Sequence, residues 1–195
     1  MNISGYTEHT LDNVTTGAAV VFKNFDLSTD TVESAKAKII SATQGGVKVK
    51  VEYPSAWDRE IDGVPANSVG MREREECKPT VTMTLAEVAS PQVLADALGA
   101  ATVAAANAPE GYQVITPKWD VEASDYLGNL TVVTTRKGSN DPLIIVIDNP
   151  ISTEGFELST ASKSGGAMEV TFTGNYDPMQ LDKCPVRFYS VNATA

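Results

Sequence analysis

The chain has 195 residues, 42% of them hydrophobic, with 25 acidic side chains against 15 basic ones and a net charge of −10. That length and apolar fraction suit one sizeable packed domain. The charge excludes a protein that grips nucleic acid through clustered Lys and Arg, although not one that lies beside DNA without binding it.

No apolar run approaches the ~20 residues that cross a bilayer; the longest, residues 143–147, has the length of a buried strand. The opening decapeptide MNISGYTEHT lacks a basic region followed by an apolar stretch, so no secretory signal and no membrane insertion are expected. The Asn-x-Thr triplets at Asn13, Asn129 and Asn192 are then chance matches.

In chain order, residues 1–16 are polar and weakly patterned and read as an N-terminal arm. Residues 18–25 form a first strand, 26–34 a loop, and 36–42 a second strand. Gln44-Gly45-Gly46 reads as a tight turn, because glycines reach positive φ without steric cost. Residues 47–53 (VKVKVEY) give the cleanest alternation in the chain. Residues 53–68 carry turn chemistry at both ends and a single tryptophan, and predict a projecting loop or ribbon. A long strand is expected over 69–88.

Residues 91–106 (PQVLADALGAATVAAA) predict the one helix, with Ser90 as N-cap and Pro91 at the first helical position. Val93, Leu94, Ala97 and Leu98 make its apolar stripe. Further strands are expected at about 111–119, 128–136, 142–148, 154–159, 167–176 and 185–190, punctuated by Gly-Asn, Ser-Gly-Gly and Asp-Pro separators. About nine strands and one helix predict a mainly β fold: a β-sandwich or barrel with one flanking α-helix, a long inter-subunit loop and an N-terminal arm, all in a single domain over 1–195.

Catalytic chemistry is hard to place. His9 is the sole histidine and lies in the polar arm. The chain has no Gly-x-Ser-x-Gly elbow, no phosphate-binding loop and no dinucleotide fingerprint. Asp58, Glu60 and Asp62 alternate along an extended segment, but Arg59 interrupts them and no calcium-loop spacing follows, so they read as a solvated loop. Cys77 and Cys184 fit no metal spacing and are expected to be reduced, structural thiols. No catalytic residue, cofactor or metal is therefore expected. Trp119 ends a strand and is expected in the core, whereas Trp57 sits in the projecting loop and is expected at an interface.

The segment REREECKPTVTMTL (72–85) is the oddest stretch. Val81, Met83 and Leu85 alternate with Thr80, Thr82 and Thr84 as in a half-buried strand. Carried backwards, the alternation sets Glu73 and Glu75 on one face and Arg72, Arg74 and Glu76 on the other. Charge on both faces needs two polar neighbours.

The segments GAAVVFKNF (17–25), KIISATQGGVKVKVEYPSAWDREIDGVPA (38–66), VTMTLAEV (81–88), PLIIVIDNPIS (142–152) and MEVTFTGNYDPMQLDKCPVRFY (168–189) come in that order. Together, over residues 14–190, they resemble the major tail, or tail tube, proteins of bacteriophages with long non-contractile tails. Where that family often has a histidine before the closing aromatic–acid pair, this chain has Asn175. The resemblance implies a structural subunit, not an enzyme, assembled as stacked homohexameric rings in the virion tail after synthesis in the host cytoplasm. It implies a tape-measure protein in the lumen, tail terminator and distal tail or baseplate proteins at the ends, and DNA that passes through without specific binding.

On that reading Trp57, Asp58, Arg59, Asp62, Arg72 and Arg74 are inter-subunit or inter-ring candidates, and Glu52, Glu73 and Glu75 are acidic candidates for the lumen wall. Glu157 and Glu169 lie on strands that could equally line the bore. Six copies would carry roughly −60 per ring, repelling phosphate within a Debye length of about 8 Å. The rival readings are a tube subunit of a contractile tail or type VI secretion-like system, a monomeric immunoglobulin-like binding or decoration module, and a hydrolase using the acidic ribbon.

Overall fold

The computed structural model describes residue 10 and residues 14–137, 139–161 and 164–191. Most of the predicted arm, including His9, lies outside the described residues. The first half of the chain forms β1 (Val20–Lys23), α1 (Val32–Ala37), β2 (Thr43–Glu52), β3 (Ala56–Asp58), β4 (Arg72–Arg74), β5 (Lys78–Leu85) and α2 (Pro91–Leu98). Then follow β6 (Ala101–Ala104), β7 (Val114–Pro117), a 3-10 turn at Ala123–Asp125, β8 (Asn129–Arg136) and β9 (Ser139–Asp148). The chain ends with β10 (Ile151–Ala161), β11 (Ser164–Thr173) and β12 (Val186–Tyr189).

Two four-stranded antiparallel sheets face each other, ordered β1-β8-β9-β12 and β10-β11-β5-β2. Their inner faces are the apolar half of each alternation. Val21, Leu130, Val132, Ile145 and Ile147 come from the first sheet, and Val81, Met83, Leu85, Met168, Val170 and Phe172 from the second. Ile40, with Val93 and Ala97 of α2, closes the cluster. Burying each large aliphatic or aromatic side chain contributes about 1.5–3 kcal/mol, so the eleven strand positions supply most of the fold's driving force. The mainly β sandwich with its flanking helix is the architecture expected.

The chain passes from one sheet to the other at Asn149–Pro150, where Asn149 has φ 47°. The Asn175 carboxamide holds this corner, donating to the carbonyls of Asn149 at 3.0 Å and Thr173 at 2.9 Å. The Asn149 side chain donates back to the Asn175 carbonyl at 3.3 Å. Asparagine serves here because one amide can bond two carbonyls while its neighbour tolerates the left-handed backbone.

Several expectations are corrected. The expected strand over 36–42 does not form: α1, which begins inside the expected loop, takes residues 36 and 37, and the rest only bridges β1 at Phe22 and Ile39. Thr31 and Ser34 form a capping box there, each side chain bonding the other's backbone N–H, a Thr-x-x-Ser spacing that the sequence carried. Gly45 and Gly46, at φ 77° and 94°, do not turn the chain; they make a bulge inside β2, where the register against β5 shifts between Gln44 and Val47.

The expected strand over 69–88 is two strands, β4 and β5, parted at residues 75–77. The expected helix over 91–106 stops at Leu98, and residues 101–104 pair with β7 instead. Gly99, at φ 81°, ends it, and a Cβ there would collide with the Ser152 carbonyl of β10. Ser90 makes no side-chain cap bond, while Pro91 does stand at the helix start.

Trp119 is fully exposed, not in the core. The chain leaves β7 two residues before it. Cys77 and Cys184 are joined in a disulfide, not reduced, with Cα atoms 5.8 Å apart. A sequence separation of 107 residues could not reveal that proximity.

Candidate functional site

Two surfaces concentrate the unusual features. The first is the ribbon, a two-stranded hairpin of β3 and β4 built out beyond the sandwich. Ala56 pairs with Arg74, Trp57 with Glu73 and Asp58 with Arg72. The ladder continues as Arg59 N–H bonds the Met71 carbonyl at 2.9 Å and Glu75 N–H bonds Ser55 at 3.0 Å. Each face has its own cross-strand set. On one, Trp57 Nε1 donates to Glu75 Oε1 at 2.8 Å, Ser55 Oγ donates to the same carboxylate at 2.9 Å, and Arg59 pairs with Glu73. On the other, Arg72 reaches Asp58 at 3.3 Å and the Arg74 guanidinium lies 4.0 Å above the Tyr53 ring.

On both faces of this segment the charged side chains are therefore met by side chains of residues 53–59 of the same ribbon. The alternation of Glu73 and Glu75 against Arg72 and Arg74 is present as expected. Asp62 stands exposed at the tip, in the turn closed by Val64 N–H on Ile61. Tyr53, Trp57, Ile61, Val64 and Val69 are exposed along the same ribbon, a run of apolar surface that a lone chain leaves in water.

The second surface is the outer face of the sheet β10-β11-β5-β2. Directly paired residues point to the same side, so the register assigns this face except at residues 153–155 of β10, where the pairing with β11 shifts. One row runs Glu157, Glu169, Thr84, Gln44; the next runs Thr171, Thr82, Lys48; then come Ile151, Thr173, Thr80, Lys50, the first two of them buried, and finally Lys78 with Glu52. The Thr82 and Thr171 hydroxyls bond at 3.0 Å. The face is hydroxyl-rich at its centre and charged at its margins. Glu154, Glu157 and Glu169 border one shallow hollow of about 250 Å³ beside β10. Lys48 and Lys50 stand on β2, where Lys50 pairs with Glu52 at 2.6 Å, and that contact, aided by Lys78, holds the Glu52 carboxyl below its ordinary pKa.

The ends of this sheet are β2 and β10. Each is ten or eleven residues long and neither contains proline. Gly99 at the end of α2 approaches β10 beside Ser152, and residues 153, 154 and 157–160 are exposed. Long unpaired strand margins are the part of a sheet most prone to take up another chain.

Two open hollows of about 540 and 620 Å³ flank the Asn149–Asn175 corner. On the first, Arg187 pairs with Asp148 at 2.5 Å and Lys183 donates to the neutral Gln180 amide oxygen at 2.5 Å. Among the described residues no group of three or more His, Cys, Asp or Glu side chains could hold a metal ion, and no helix is long and apolar enough to cross a membrane. Glu52 thus shares a face with Glu157 and Glu169, while Glu73 and Glu75 belong to the ribbon. Lys48, Lys50 and Glu154 were not singled out from sequence; the alternation of VKVKVE already set Lys48, Lys50 and Glu52 on one side.

No protein-family model and no curated protein matches this chain.

Proposed function

We propose that this chain is the structural subunit of a bacteriophage tail tube, assembling into stacked homohexameric rings that form the conduit for DNA ejection. The observation that carries the reading is the pair of long free margins on the sheet β10-β11-β5-β2. Because the sheet has an even number of antiparallel strands, β2 and β10 run in opposite directions. Copies related by rotation about one axis can then add sheet to sheet with antiparallel pairing throughout, until the barrel closes and no unpaired margin remains.

The polar outer face suits a water-filled bore, on whose wall Glu52, Glu157 and Glu169 would stand together with Lys48, Lys50 and Lys78 of the same face. The ribbon, with Trp57, Asp58, Arg59, Asp62, Arg72 and Arg74, would reach an adjacent ring. Its carboxylates Glu73 and Glu75 are already engaged within the ribbon, so their role is to shape that arm. The tape-measure protein would fill the lumen, with terminator and distal tail proteins at the ends, in the virion tail. Sedimentation of the purified chain over a concentration series tests this: a cooperative step to hexamers and multiples of six supports it, and a monomer throughout refutes it.

A further inference from the structure

The two margins of that sheet carry opposite charge on the same face. The β2 side bears Lys48 and Lys50, with Lys78 beside them on β5 and Glu52 as the single acid. The β10 side bears Glu154 and Glu157, with Glu169 beside them on β11. Glu157 lies directly opposite Glu169, and the next residues across the sheet are Thr84 and Gln44, so no cation faces this pair along its row. Like charges directly opposite on neighbouring strands are unfavourable, and the row is open on its β10 side.

We infer that β2 of one copy of this chain docks antiparallel along β10 of the next, with Lys48 and Lys50 matched to Glu154 and Glu157 as the contact that selects this junction. The inference rests on the tube reading and specifies the partner surface within it. Two-fold pairing of β2 with β2 would set lysines against lysines, and pairing of β10 with β10 would set glutamates against glutamates. Lysines on a margin ordinarily repel any incoming strand of the same kind. Here they also fit one particular strand, so the same residues discourage closed two-fold dimers and favour head-to-tail rings.

The rows support the match. Lys48 shares a row with Thr82 and Thr171, and Thr171 borders the hollow that holds Glu154. An unstaggered junction therefore brings Lys48 to Glu154. A stagger of one side-chain repeat, which keeps every residue on its face, brings Lys48 to Glu157 and Lys50 to Glu154. The staggered register joins both charge pairs, whereas the unstaggered one joins only Lys48 with Glu154 and sets Lys50 in the row of Ile151.

The test uses three variants of the full chain: Lys48→Glu with Lys50→Glu, Glu154→Lys with Glu157→Lys, and all four together. Each is compared with wild type by sedimentation at low salt. Either two-residue reversal alone should raise the half-assembly concentration about tenfold or more, an effect that shrinks as salt rises. The fourfold variant should return to within about threefold of wild type, and an equimolar mixture of the two reversals should co-assemble. Recovery in the mixture also shows that each reversal still folds.

If wild type assembles and both reversals assemble equally well, this junction is wrong while the tube reading stands. If the reversals fail but neither the fourfold variant nor the mixture recovers, the margins matter without matching each other, and the inference falls. A wild-type chain that never assembles overturns the tube reading and this inference together.

Discussion

Trp57 Nε1 donates a 2.8 Å hydrogen bond to Glu75 Oε1 across the ribbon, although the tryptophan is 47% exposed. The indole is thus fixed in orientation by a carboxylate while its ring remains available. An aromatic held in advance loses little freedom on docking and so makes a strong anchor. Trp57→Ala should leave the melting temperature nearly unchanged, because the ring contributes little to the sandwich core. It should weaken assembly by about 2 kcal/mol or more. Glu75→Gln, which keeps an acceptor but loses the charge, should weaken it less. Sedimentation beside thermal melts checks both, and full assembly by Trp57→Ala would remove the ribbon from the interface.

Glu157→Lys separates folding from assembly. In the single chain it replaces a repulsive pair with Glu169 by an attractive one, so denaturant unfolding of dilute protein should show about 0.2–1 kcal/mol greater stability. The same substitution should impair assembly. A variant that is both less stable and unimpaired in assembly would contradict the placement of this face.

Cys77 and Cys184 tie the base of the ribbon to the start of β12, and Cys77 N–H also donates to the Tyr176 hydroxyl oxygen at 2.7 Å. Reduction, or Cys77→Ser with Cys184→Ser, should cost about 2–4 kcal/mol, near the upper part of the usual range because the closed loop is long. Thermal melts with and without reductant measure this, and thiol alkylation before and after denaturation should find the pair blocked until reduced.

Asp30 accepts two contacts from Lys38, at 2.6 and 2.8 Å, together with Ser34 Oγ at 2.8 Å and Asp26 N–H at 2.7 Å. The Lys38 bond is the largest cause holding its carboxyl down to about 2. A carboxyl depressed in the folded chain contributes stability that is complete above its unfolded value, near 3.8, and is lost as pH falls toward 2. Asp30→Asn should therefore lower the melting temperature at neutral pH and flatten its decline between pH 4 and about 2. An unchanged slope over that interval would mean that Asp30 does not link α1 to acid stability.

Much of this architecture was legible because it rests on strict alternation. Thr80–Leu85 read directly as a strand buried on one side, and β5 is that strand at the centre of its sheet. The ribbon's first strand and tip were legible from turn residues and a lone tryptophan, but its second strand, Arg72–Arg74, was expected in the long strand over 69–88. What escaped were features decided by neighbours far along the chain. Gly45-Gly46 has the composition of a turn, and only the partner strand makes it a bulge. Residues 101–104 keep a helical composition yet pair with β7 once Gly99 has broken the helix. The same holds for charge. The opposition of Glu157 to Glu169, and the placement of Lys48 at the other end of the sheet, depend on a strand order that no local pattern states.

Negative-stain electron microscopy of the purified chain decides between a tube and a monomer. At rising protein concentration hollow six-fold rings should stack into tubes with an open, stain-filled bore. A field of single particles the size of one 20.7 kDa chain, with neither rings nor tubes at the highest soluble concentration, would contradict the tube reading.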